Sequence, residues 1–275
     1  MGAVLAPPIV AWILLRYGWP HAFVAVGAVG LVWLVLWLPA YRTPQAATAE
    51  FEAPPIPVHV LVRTRVVLAF TLSKIFLDPV WYFYIFWFPE YLKRAHGFEM
   101  VAIGKYSWIP FAVAGAGNFL GGGLSGWLLR RGASVTVARK GAVTFFVALM
   151  TSAIGVVLVP QASLAIALVS IAMLGYAGSL ANMLALPGDV FPKNTVASVY
   201  GLASMGSGFG GMLFTLITGW VVDHYSYTPV FIAFGLLPLI CATILWLFLG
   251  ELRPVLFVLG RPVPRVTLEE ARIPS

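Results

Sequence analysis

Charge is what this sequence has least of. Only 10% of its 275 residues are Asp, Glu, Lys or Arg, and the acidic ones number 10. Soluble domains carry roughly 25% charged and about 45–50% apolar residues, whereas 60% of this chain is hydrophobic. So few solvated groups do not cover a globule of this length, and a mean hydropathy of +0.92 points the same way. A soluble enzyme, a disordered chain and a nucleic-acid binder are poor starting classes, and an integral membrane protein remains. Cysteine is the second scarcity. A single Cys241 excludes an internal disulfide framework and a cysteine metal cluster, and its place in an apolar run makes it a small buried hydrophobe. Catalytic signatures are the third. The chain has no His-Glu-x-x-His, Gly-x-Ser-x-Gly or Walker A pattern, and His21, His59, His96 and His224 lack ligand spacing. The expectation is therefore no enzyme activity, no catalytic residue, no metal and no cofactor.

Long apolar runs are what the chain has in plenty. A helix needs about 20 apolar residues to cross the hydrocarbon core. Eight candidate spans stand out, at Met1–Leu15, His21–Leu38, Val66–Leu92, Tyr106–Leu129, Gly141–Val159, Ser163–Leu186, Val196–Val222 and Pro229–Leu249. They are continuously apolar and do not alternate with period two, which speaks against a strand barrel. The predicted fold is all-α, a polytopic membrane helix bundle. Its first run is cut short by Arg16, and the Arg-Tyr-Gly-Trp-Pro that follows is no small-residue cleavage site. That pattern is expected of a chain that starts inside a transmembrane helix.

Composition divides the chain further. Residues 41–65 hold Arg42, Glu50, Glu52, Arg63, Arg65 and a proline-rich middle, and read as a polar linker. It separates the two spans of 1–40 from the six of 66–249, and 250–275 reads as a flexible, solvated tail. Alternating the spans puts 12 of the 17 basic residues on the side of the linker and tail, and 4 (Arg16, Lys93, Arg94, Lys105) on the other. Basic residues favour the cytoplasmic side, so linker and tail are expected there. The net charge of +7 is then a topology signal, and no nucleic-acid partner is expected.

Lys74 is the one basic residue inside a span. Charges at that depth are costly and usually functional. Lys74 and Asp78 are four apart and share a helical face, which Tyr82 continues. A cation, a carboxylate, a phenol and indoles such as Trp81 on one helix could bind an anionic solute and couple it to a proton. Alternatively, the two charges neutralise each other as a structural pair. Pro79 removes a helical hydrogen bond and predicts a kink, and broken helices are where transporters place their sites. Asn118, Asn182, Ser179 and Ser204 are further polar groups within spans, open to a site role or to bridging helices. Asp189 at a helix end reads as a cap or brace. Gly206-Ser-Gly208-Phe-Gly210-Gly211 formally matches a dinucleotide-binding pattern, but it lies inside an apolar span. Gly206-x-x-x-Gly210 and Gly117-x-x-x-Gly121 read instead as close-packing motifs.

Several stretches together carry a family resemblance. Lys74–Leu92 (KIFLDPVWYFYIFWFPEYL), Gly121–Lys140 (GGGLSGWLLRRGASVTVARK), Ser179–Pro192 (SLANMLALPGDVFP) and the glycine-rich Gly201–Tyr225 resemble the second half of a major facilitator superfamily transporter. Within it they resemble the anion:cation symporter group, and most closely the hexuronate transporters. Ala3–Arg42 is similar to that family's fifth and sixth helices. The resemblance implies two six-helix halves, alternating access and proton-driven uptake of a sugar acid across the bacterial inner membrane. The implied partners are a small anionic solute, the proton and the lipid bilayer. On the second-half wall the implied site residues are Lys74, Asp78, Trp81 and Tyr82, with Asn118, Asn182 and Ser204 beside them. Arg130 and Arg131 fall in the counterpart of the family's cytoplasmic loop signature, which implies bracing of helix ends. Gly115 stands where members often carry an acidic residue, and the family's first four helices have no counterpart in this chain. Transport of another organic anion, such as a galactonate-like, tartrate-like or dipeptide-type solute, and an inert truncated fragment are the alternatives.

Overall fold

The computed structural model describes residues 2–41, 56–252, 255–258 and 261–264. All eight apolar runs are helical. In chain order the helices are α1 (Gly2–Tyr17), α2 (Trp19–Ala40), α3 (Val58–Leu61), α4 (Arg65–Phe86), α5 (Phe88–His96), α6 (Met100–Tyr106), α7 (Trp108–Arg130), α8 (Val135–Met150), α9 (Ala162–Val190), α10 (Lys193–His224) and α11 (Tyr227–Phe248). A 3₁₀ stretch, Thr151–Leu158, prolongs α8.

Among the described residues, six helical segments are long and apolar enough to cross a membrane. They are α2, α4, α8 with its extension, α9, α10 and α11. The other two of the eight runs are helical but fall outside that set. α1 has only a shorter apolar stretch, Leu5–Tyr17. α7 is 23 residues long, but its many glycines dilute its hydropathy.

Local chemistry sets the helix ends. α7 closes at Gly132, whose φ of 86° is open to glycine without strain. Its N–H reaches the Leu129 carbonyl and that of Ala133 reaches Leu128, the paired bonds of a Schellman end. Ser134 then caps α8 by accepting from the Val137 N–H. The predicted third span is divided. α4 runs unbroken through Pro79, and the interruption falls at Trp87, where Pro89 opens α5 without a donor for the preceding turn.

α4 and α9 sit at the centre. α4 packs against α10 and α11, and α9 against α7 and α8. The glycine motifs make these contacts close. A Cβ on Gly117 would stand 2.4 Å from the Leu174 carbonyl oxygen, and one on Gly121 2.4 Å from that of Gly178, so α7 and α9 meet backbone to backbone. Gly206 and Gly210 bring α10 equally near Thr71 and Ile75 of α4. α1 leans on α6 and α7, and α2 packs mainly against α1. α2 is apolar all round, with only Ala22 buried, as suits a helix facing lipid.

The tail differs from the flexible segment expected. Val255–Val258 (β1) pairs antiparallel with Arg261–Pro264 (β2). Its approach is tied to α8, because Lys140 Nζ donates to the Gly250 carbonyl at 2.5 Å and the Leu252 N–H donates to Thr136 Oγ1 at 2.8 Å. Residues 265–275 of the tail lie outside the described residues, as do 42–55 of the linker with Arg42, Glu50 and Glu52.

Candidate functional site

Lys74 and Asp78 stand near the middle of α4. Lys74 Nζ lies 2.7 Å from Asp78 Oδ2, and the two residues are only 7% and 5% exposed. Burial at this level would be prohibitive for either charge alone. The other carboxylate oxygen has its own partner, since the Tyr176 hydroxyl on α9 donates to Asp78 Oδ1 at 3.2 Å. Two helices therefore hold one carboxylate.

Trp81 extends the cluster. Its ring stacks on Tyr176 with centroids 5.2 Å apart and planes at 19°, and meets the edge of Phe111 from α7 at 5.7 Å. Tyr82 faces α10, where a Cβ on Gly211 would come within 2.7 Å of its ring. Beside Trp81 lies a cavity of about 390 Å³ between α1 and the α4–α7 segment.

The remaining expected residues are placed differently. Asn182 is fully buried and bridges helices, donating through Nδ2 to the Gly121 carbonyl of α7 at 2.9 Å and to the Gly178 carbonyl at 3.1 Å. Asn118 and Ser204 lie exposed on α7 and α10, and the structure does not join them to the Lys74–Asp78 cluster. Arg130 and Arg131 are exposed at the end of α7, with the Arg131 guanidinium 4.8 Å above the Trp127 ring.

Arg139 forms a brace between helix ends. From α8, its Nε donates to Asp189 Oδ2 at 2.8 Å. Its Nη1 reaches Ser125 Oγ at 3.2 Å and Asn182 Oδ1 at 3.5 Å. One guanidinium thus ties α7, α8 and α9, using the fork of donors that lysine lacks. Asp189 is a brace, as its position at a helix end suggested.

Sequence reasoning missed the contacts that Tyr176 and Arg139 make. Tyr176 carried a signal, as the one phenol of the span Ser163–Leu186, between Gly175 and Gly178. Arg139 registered only as a topology charge, because its partner lies 50 positions away.

A second polar group gathers beyond α4. Arg94 pairs with Glu90 at 2.7 Å and approaches Asp223 at 4.0 Å. Nearby, His96 Nε2 lies 3.2 Å from the Tyr91 hydroxyl, and burial holds the imidazole below its usual pKa. Among the described residues no three His, Cys, Asp or Glu side chains gather as a metal site.

Residues 1–178 and 134–270 match the family model of the Major Facilitator Superfamily. The chain is 27% identical over 265 residues to a hexuronate transporter of Escherichia coli K12, covering 90% of this chain and 61% of that protein. It is 22% identical over 280 residues to a D-galactonate transporter of Escherichia coli O6:H1, covering 93% of this chain and 65% of that one. It thus spans less than two thirds of either relative. Among solved structures, a bacterial homologue of the human lysosomal transporter Spinster, in an inward-facing and occupied conformation, superposes with a TM-score of 0.59 at 21% identity. That match covers 84% of this chain and 57% of the other.

Proposed function

The chain belongs to the major facilitator superfamily, and from that premise we propose that it serves proton-coupled uptake of a sugar acid of the hexuronate kind by alternating access. The setting is the bacterial inner membrane, with residues 41–65 as a cytoplasmic linker, 66–249 as the second helical half and 250–275 as a cytoplasmic tail. The relatives named for hexuronate and galactonate support the substrate class.

The observation that carries the reading is the buried Lys74–Asp78 pair. In a medium of low dielectric, a site of this kind must stay close to neutral. An anion cannot join the intact pair without leaving one negative charge unbalanced. A proton on Asp78 removes that charge and frees the Lys74 ammonium for the carboxylate of the solute. Proton and anion therefore load together, and neither is favoured alone. Tyr176 keeps Asp78 in place through either state, and Trp81 offers an aromatic face to a sugar ring. Tyr82 offers a hydrogen bond to a sugar hydroxyl. Asn182, Arg130 and Arg131 act on the scaffold, the last two at the cytoplasmic loop.

Uptake of radiolabelled glucuronate tests this, in a bacterium that lacks its own hexuronate uptake and expresses the chain. Saturable uptake that a protonophore abolishes is expected, together with its loss in Lys74→Ala and Asp78→Ala. No uptake above the empty vector, with the protein confirmed in the membrane, overturns the reading for glucuronate. A parallel panel of galactonate and tartrate identifies another organic anion.

A further inference from the structure

The cavity beside Trp81 is a poor match for a free sugar acid. A hexuronate carries hydroxyls around its ring, and each needs a partner once it leaves water. Of the residues that line the cavity, only Trp81, Tyr84, Met100 and Ser107 carry a side-chain heteroatom. At about 390 Å³ it is nevertheless large enough for a small organic group.

Its position gives it a meaning. Lys74, Asp78, Trp81 and Ile85 recur at helical spacing and form one stripe along α4. The polar end of that stripe is the buried ion pair, and Trp81 and Ile85 line the cavity. Trp81 is the shared wall, stacked on the Tyr176 that donates to Asp78. From Asp78 to Ile85 is roughly 10 Å along the helix axis, the length of a pyranose ring with a substituent attached. Tyr84 adds a second observation. It is 1% exposed and lines the cavity, and its hydroxyl has no hydrogen-bond partner. A buried hydroxyl in that state has a donor to give.

We propose that the cavity is a subsite for an apolar substituent on the transported acid, so that hexuronides, sugar acids bearing an apolar aglycone, are preferred over the free acid. This rests on the transporter reading above. The carboxylate meets Lys74, the sugar ring lies along Trp81 and the aglycone enters between α1 and α4. The Tyr84 hydroxyl donates to the glycosidic oxygen, an acceptor with no proton of its own.

Competition against radiolabelled glucuronate uptake tests the proposal, with methyl and phenyl β-glucuronide as competitors. The phenyl compound is expected to inhibit at concentrations about tenfold lower than the methyl one, the effect of burying one small ring. Ala6→Phe, which puts bulk into the cavity from an exposed position on α1, is expected to shrink that ratio. Tyr84→Phe is expected to reduce the affinity of both glucuronides relative to glucuronate. Equal inhibition by the two glucuronides with normal glucuronate uptake overturns the subsite and leaves the transporter reading standing. A phenyl preference that Ala6→Phe leaves untouched also overturns it, because the ring then binds elsewhere and the cavity is left to a lipid tail. If glucuronate is not taken up at all, thermal stability of the purified chain decides. Stabilisation by phenyl β-glucuronide beyond that by glucuronate supports the subsite, and equal stabilisation overturns it.

Discussion

Gly210 of α10 lies directly against the carbonyl oxygen of Ile75, and a Cβ added there would stand 2.4 Å from it. That oxygen is the acceptor Pro79 deprives of its helical donor, four residues on. In lipid no water can make good the loss. The glycine lets the neighbouring backbone come close enough for its Cα–H groups to face the oxygen.

Gly210→Ala should therefore force α4 and α10 apart and cost about 1–3 kcal/mol. Gly208→Ala, with nothing within 4 Å of its added Cβ, should be neutral or slightly stabilising. Thermal unfolding of both purified variants in one detergent checks the contrast, which a generic loss of helix flexibility does not produce.

The Lys74–Asp78 pair should show strong non-additivity. Lys74→Met or Asp78→Asn alone leaves a buried charge uncompensated, at a cost of about 3–5 kcal/mol. The double variant should recover most of that stability while uptake remains absent. Recovery of both would reduce the pair to a structural role.

Tyr176→Phe removes the donor to Asp78 Oδ1 and keeps the ring that stacks on Trp81. A loss of about 1–3 kcal/mol follows from the unpaired carboxylate oxygen. Uptake should fall several-fold, and Tyr176→Leu, which also removes the stack, should lower it further.

Arg139→Lys should not rescue Arg139→Ala. Lysine can meet Asp189 but cannot reach Ser125 and Asn182 at the same time. Both variants should lose about 2 kcal/mol of stability, whereas Arg130→Ala and Arg131→Ala, at exposed positions, should lose little. Melting curves of the four variants separate these outcomes.

His96 supplies a pH dependence outside the membrane spans. Burial lowers its pKa below the usual 6.5, so the folded state binds its proton less readily than the unfolded one. The stability this contributes is complete above about pH 6.5, is lost as the pH falls below it, and stops changing below the folded pKa. His96→Gln should flatten that part of the profile of melting temperature against pH.

The spans were legible because continuous apolar runs in a charge-poor chain admit few other readings. Their internal breaks were less so. Both Pro79 and Pro89 remove a donor, but α4 continues through Pro79 because the surrounding helices hold it, and it stops at Trp87. The pairing of Val255–Val258 with Arg261–Pro264 was illegible, since one run is four apolar residues without alternation and the other carries two prolines. Within the candidate site, the Lys74–Asp78 contact was legible from charge and spacing on one helix. Tyr176, Arg139 and the bridging role of Asn182 depend on which faces of α7, α8 and α9 meet, and only packing fixes that.

The way α1 meets the rest of the molecule has its own consequence. Ala11 rests where a Cβ on Gly104 would lie, 2.7 Å from its methyl group. Among the described residues no hydrogen bond or ion pair links α1 or α2 to α3–α11. Such a seam is held by dispersion alone, which is non-directional and shallow for each atom pair. It works as a dry bearing: the surfaces can part or slide without any polar group losing its partner, and can close again without a register to recover.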